Sequence, residues 1–202
     1  MTVFLYSGTP GSGKSLHMAK SIYWGVRTGR SVIANFDINR DMFKSTSSFH
    51  MVENHDLTPS YLERFAVDYF KTQKFKEGAI SLYIDEAQVI FSNREWNAQG
   101  RKDWIRFFTQ HRKLGYNVYI VAQNHEMIDK QIRSLVEYEV MHRKLNNVGW
   151  VGNLANVLFL GHPVVCGVTR WYGLKMRLSS EWFIGTKKYY RLYDTLKVFD
   201  AV

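Results

Sequence analysis

Residues Gly8 to Ser15 read Gly-Thr-Pro-Gly-Ser-Gly-Lys-Ser, between the apolar run Val3 to Tyr6 and a segment carrying Leu16, Ala19, Ile22, Tyr23 and Val26 at helical spacing. No other feature constrains the chain as much. A glycine-rich turn between a buried strand and a helix permits a tight wrap that side chains would block. The first amides of a helix have no acceptor within it, and the helix dipole is positive at that end. Donors converging in a positive field bind phosphate. The amides of Gly11 to Ser15 are therefore expected to point inward, with Lys14 reaching the β and γ phosphates and the Ser15 hydroxyl coordinating Mg²⁺. Gly8, Thr9, Pro10, Gly11, Ser12, Gly13, Lys14 and Ser15 form the candidate nucleotide-binding set.

A second motif is Ser81-Leu82-Tyr83-Ile84-Asp85-Glu86, an apolar strand closed by two acids. Ligands of open parallel sheets bind beyond the carboxyl ends of the strands. Asp85 suits the acid that holds Mg²⁺ through water, and Glu86 the base that polarises an attacking water. A GTPase would carry D-x-x-G after this strand and N-K-x-D for the base; neither is present, so ATP is favoured. The strand Tyr119 to Ala122 ends in Gln123-Asn124. Gln123 is the candidate sensor of the γ-phosphate, with Asn124 as substitute. Phosphoryl transfer also calls for an arginine, from the same chain or a neighbour. Arg112, Arg133 and Arg94 are the candidates.

Around these motifs, strands are read at Val3 to Tyr6, Ser31 to Phe36, Ile80 to Ile84, Asn117 to Ala122 and Tyr138 to Lys144. Helices are read from about Lys14 to Gly29, from Thr58-Pro59-Ser60 (with Glu63) to about Lys76, from about Gly100 to Gly115, and over Asp129 to Val136. Residues 41 to 58 show no period and read as a loop. Alternating strands and helices predict an α/β fold, a P-loop NTPase three-layer sandwich with a mostly parallel central sheet. After Asn146, glycines at 149, 152, 161, 167, 173 and 185 punctuate short aromatic and β-branched runs, which predicts turns and hairpins. The organisation expected is a core over 1–145 and a β-rich C-terminal extension of the same domain over 146–202.

The formal net charge of +9 would attract nucleic acid or an anionic membrane surface, with solubility as the plainer reading. Cys166 is the single cysteine, so no intrachain disulfide forms. The histidines show no zinc pattern. No signal peptide or membrane-spanning run is read, and a soluble chain is expected. Lys187-Lys188 with Tyr189, Tyr190 and Arg191 reads as a strand with a basic outer face or as a single-strand DNA groove.

In order, GTPGSGKS, LYIDEAQ, FFTQHRKLGYNVYIVAQN, IDKQIRSLVEY and YRLYDT resemble the zonula occludens toxin (Zot) family, from Phe4 to about Thr195. The first two occur in many ATPases, so the specificity lies in the Gln123 strand together with Asp129 to Arg133. The resemblance implies an extra strand between those of the P-loop and the Asp-Glu pair, which would put Gln123 beside the γ-phosphate. It implies kinship with ring-forming DNA translocases, hence a homo-oligomer, with a hexamer and an arginine in trans as the expectation. It also implies an ATP-hydrolysing motor for assembly and export of filamentous phage, at the cytoplasmic face of the bacterial inner membrane. Partners would be phage assembly proteins and single-stranded DNA, with membrane contact through a segment absent from this chain. The toxin activity of the family name belongs to its C-terminal part. Two other classes remain open on the residues alone: a small-molecule kinase, and a docking module that binds ATP without turnover.

Overall fold

The computed structural model describes residues 1–91, 98–145, 150, 152 and 157–193. The strands are β1 (Val3–Ser7), β2 (Ser31–Ala34), β3 (Phe49–Met51), β4 (Ile80–Ile84), β5 (Tyr116–Val121), β6 (Tyr138–Lys144), β7 (Val164–Trp171) and β8 (Arg177–Ile184). The helices are α1 (Lys14–Arg27), α2 (Pro59–Thr72), α3 (Ala98–Gln110), α4 (Lys130–Arg133) and α5 (Lys187–Leu192). The described strands form one sheet in the order β3-β2-β4-β5-β1-β6-β7-β8. β1 to β6 are mutually parallel, and β7 and β8 add on antiparallel.

Strand side chains alternate between two cores. Val3, Leu5, Ile33, Leu82, Val118 and Ile120 meet Leu62 and Ala66 of α2, Phe107 and Phe108 of α3, and Ile132 of α4. Their neighbours Tyr6, Val32, Ala34, Tyr83 and Val121 face Met18, Ala19 and Ile22 of α1 and Tyr189 and Leu192 of α5. Strands covered on both sides read as continuous apolar runs, which is why β1, β2, β4 and β5 stand out in the sequence.

Helix α2 starts within the expected Thr58-Pro59-Ser60 segment. Thr58 is the N-cap, its Oγ1 accepting the Tyr61 N–H at 3.2 Å, and Pro59 opens the helix where its missing donor costs nothing. Glu63 instead accepts from Arg106 of α3 at 3.3 Å. Thr58→Ala should cost about 1 kcal/mol, read as a lower urea midpoint with an unchanged slope.

Four expectations are corrected, one being the turn at Gly152, where the chain is helical. The 41–58 loop contains β3, a three-residue edge strand with Phe49 buried, too short to show a period of two. Gly167 is no turn: it lies inside β7, where a Cβ would stand 3.1 Å from Val140 and 3.5 Å from the His17 ring. Lys187 to Leu192 is helix, not strand, because Tyr189 and Leu192, three apart, are buried against the α1 side of the sheet. There the Lys188 ammonium sits 4.9 Å from the ring centres of Tyr23 and Tyr189 and 5.3 Å from that of Trp24, while Lys187, Tyr190 and Arg191 are exposed. The expected turn at Gly149, and Arg94, lie outside the described residues.

Candidate functional site

β1 delivers the chain into the loop, and its glycines take backbone shapes closed to other residues, with φ of +137° at Gly8, +73° at Gly11 and +100° at Gly13. Space constrains two of them as well. A Cβ on Gly8 would stand 2.7 Å from the His142 carbonyl oxygen, and one on Gly13 2.6 Å from Val165. The loop is thus wedged against β6 and β7 and opens straight into α1, whose first turn carries no acid to repel an anion.

Lys14 is buried and folds back on the loop, donating to the carbonyls of Gly8 at 2.7 Å and Thr9 at 3.1 Å. Burial lowers its pKa, with Asp85 and Glu86 pulling the other way. The buried Ser12 hydroxyl has no hydrogen-bond partner among the described residues. Among the described residues, an unpaired hydroxyl, a lysine satisfied by loop carbonyls and first-turn amides of α1 with no side-chain cap fit a phosphate chain. They line a cleft of about 380 Å³ with Ser15, Asp85, Glu86 and Gln123. A larger groove of about 690 Å³ involving Ser31, His50 and Tyr69 lies at the opposite end of β2 and has no phosphate-binding loop.

Asp85 ends β4. Its N–H donates to Asn35 Oδ1 at 2.8 Å, and Asn35 Nδ2 donates back to its carbonyl at 2.9 Å. Its carboxylate accepts the Glu86 N–H on Oδ1 and the Tyr193 hydroxyl on Oδ2, both at 2.9 Å. Burial raises the Asp85 pKa, and these two donors oppose the rise. Glu86 sits at φ +48°, a left-handed shape that costs on the order of 1–3 kcal/mol in a residue other than glycine. That turn leaves its carboxylate exposed, with Gln88 Nε2 as a close partner and Gln123 Nε2 at 3.4 Å. β5 runs between β1 and β4, so Gln123 emerges between the loop and Glu86. Asn124 cannot stand in for it, since its side chain caps the next turn by accepting the Glu126 N–H at 2.8 Å.

Neither Arg112 nor Arg133 reaches this cleft in its own chain. Arg112 precedes β5 and pairs with Glu137, which precedes β6, at 2.8 Å, so both stand at the opposite edge of the sheet. Arg133 lies beside Tyr172 at that same edge. Among the described residues, the cleft's further base is Lys144, at the end of β6, accompanied by Tyr190 of α5. Sequence reasoning missed Asn35, Lys144, Tyr190 and Tyr193 as site residues; only Tyr190 and Tyr193 carried a signal, in YRLYDT.

Behind the loop, His142 Nδ1 meets the Ser7 carbonyl at 3.2 Å and Nε2 meets His17 Nδ1 at 2.9 Å. A carbonyl can only accept, so neutral His142 carries its proton on Nδ1 and His17 donates to it. Burial, then the neighbouring His17, push the His142 pKa down from 6.5 to about 3. As pH falls below 6.5 the unfolded chain takes this proton first, so the stability contributed is complete above that pH and drains toward about 3. The slope expected from this group approaches about 1.4 kcal/mol per pH unit. Urea midpoints at neutral and mildly acid pH should fall more steeply for the native chain than for His142→Gln.

Fold and cleft together define a P-loop NTPase. Residues 2–194 match the family model for Zonular occludens toxin (Zot), and the chain belongs to that family. The Gene 1 proteins of Enterobacteria phages I2-2 and M13 are each 27% identical over 214 residues, covering 100% of this chain and 58% and 61% of theirs. The chain thus spans about three fifths of the length of these relatives. Among solved structures, the N-terminal domain of zonular occludens toxin from Neisseria meningitidis aligns with a TM-score of 0.54 at 18% identity, over 96% of this chain and 98% of that one. B204, the DNA-packaging ATPase from Sulfolobus Turreted Icosahedral Virus, aligns at 0.54 and 14%, over 92% and 97%. A KaiC-like protein from the hyperthermophilic archaeon Pyrococcus horikoshii aligns at 0.54 and 14%, over 91% and 84%. At these identities the structural likeness concerns the fold.

Proposed function

We propose that the protein is an ATPase that drives assembly and export of filamentous phage across the bacterial inner membrane, acting at its cytoplasmic face with phage assembly proteins and single-stranded DNA as partners. The observation that carries the hydrolytic part is Glu86, turned out of β4 into the cleft beside Gln123 and opposite Lys14. The phage part rests on family membership and on the Gene 1 relatives.

The loop amides and Lys14 bind the phosphates, and Ser15 and Asp85 are the residues that would hold Mg²⁺. When bound, the ion neutralises charge on the β and γ phosphates. Gln123 orients the attacking water and Glu86 takes its proton as the water oxygen bonds to the γ-phosphorus, while the bond from that phosphorus to the β,γ-bridging oxygen breaks and ADP leaves. With Arg112 and Arg133 at the far edge of the sheet, either can serve only the cleft of a neighbouring subunit, which supports an oligomer, a hexamer in our reading. No described helix is long and apolar enough to cross a membrane.

The test is the ATPase rate per subunit against protein concentration, with and without single-stranded DNA. A steep rise with concentration is expected, since a trans arginine is worth on the order of 10³-fold or more in rate. A rate independent of concentration would argue for a self-sufficient monomer. Absence of turnover even in concentrated protein with DNA would overturn the ATPase reading.

A further inference from the structure

Of the sequence segments that mark this chain, YRLYDT has no part in the hydrolytic scheme above, yet its described residues close on the cleft. Tyr189 and Leu192 anchor α5 beside α1, where Trp24 Nε1 donates to the Tyr189 hydroxyl at 3.3 Å. The Leu192 carbonyl accepts the Asn39 N–H at 2.9 Å, which ties the end of α5 to the segment after β2. Tyr193 then lays its ring on Phe36, centroids 4.3 Å apart, and donates its hydroxyl to Asp85 Oδ2 at 2.9 Å.

The Asp85 carboxylate is therefore held at both oxygens, by the Glu86 N–H on one and Tyr193 on the other, while Asn35 clamps its main chain from both sides. Each carboxylate oxygen has two lone-pair sites, so these bonds fix the group's plane and still leave acceptor capacity toward the cleft shared with Ser15. The contacts from Asn35 and Glu86 come from the continuations of β2 and β4. Tyr193 is the exception, 108 residues away along the chain.

We propose that Tyr193 is a positioning residue for the Mg²⁺-nucleotide site, its hydroxyl setting the Asp85 carboxylate in the orientation that receives the ion's water shell. This rests on the ATPase reading above, in which Asp85 serves Mg²⁺.

The experiment is a titration of a fluorescent ATP analogue into the native chain and Tyr193→Phe, each with Mg²⁺ and with EDTA. Hydrogen exchange at the Asn39 amide is followed in parallel. Phenylalanine keeps the ring on Phe36 and removes only the hydroxyl. Mg²⁺ is expected to tighten binding by the native chain, and that tightening should shrink about tenfold in Tyr193→Phe, in line with a hydrogen bond to a charged group. Affinity in EDTA and protection of Asn39 should stay the same. Equal Mg²⁺ dependence in both proteins would overturn the positioning role while leaving the ATPase reading intact. Loss of Asn39 protection in the variant would overturn it in favour of a purely structural role. A native chain that binds the nucleotide with no Mg²⁺ dependence would overturn both.

Discussion

Glu86→Gln should bind ATP as tightly as the native protein and release phosphate about 10² to 10⁴ times more slowly, the usual worth of a positioned general base. The structure makes this substitution unusually clean. Glu86 lies outside the loop that grips phosphate, and glutamine can keep the strained φ of +48° and a hydrogen bond to Gln123. What it cannot do is accept the proton of the attacking water. Lys14→Ala provides the contrast, because Lys14 is buried in the cleft and is the cation of the loop itself. Its loss should abolish binding together with turnover. Phosphate release and fluorescent-nucleotide titration on the same preparations separate the two. Undiminished hydrolysis in Glu86→Gln would assign the base elsewhere.

Gly8→Ala should be the most damaging single methyl in the loop. Its φ of +137° is closed to alanine, and the new Cβ would sit 2.7 Å from the His142 carbonyl, which is backbone and cannot swing aside. Strained backbone and overpacking each cost on the order of 1–3 kcal/mol, so a loss of about 2 to 6 kcal/mol is expected. Gly11→Ala is the control. It shares a positive φ, +73°, but its Cβ would meet nothing within 4 Å, so it should cost only about 1–2 kcal/mol. Thermal or urea unfolding of the pair checks both values. Equal losses would mean that the wedge of the loop against β6 is not what restricts Gly8.

The same contrast shows how far local pattern carries. GTPGSGKS announces three glycines, but that Gly8 answers to a carbonyl of β6 and Gly13 to Val165 of β7 depends on strands more than a hundred residues away. Gln123 was legible as an amide at a strand end, and its placement beside Glu86 followed once β5 paired with both β1 and β4. The arginines were legible only as a chemical need. Arg112 follows α3 and Arg133 ends α4, and in a parallel sheet a helix runs back to the edge opposite the ligand, so neither faces the cleft of its own chain. Asn35 carried no mark at all, since an amide after a short strand is ordinary until its partner Asp85 is placed beside it.

What the sequence by itself determined is what is encoded in near neighbours. It contains the strand, loop and helix that cradle phosphate, the acids that end β4, and the apolar runs of a sheet covered on both faces. Those features depend on backbone shape and periodicity over a few residues, which adjacent side chains impose directly. Only the tertiary structure decided which distant groups complete the cleft: Tyr193 and Asn35 on Asp85, Lys144 from β6, and His142 under the loop. Each is a polar contact between segments far apart in sequence, so its residue looks ordinary in the chain and gains its role only when packing of the two cores brings the partners within hydrogen-bond reach.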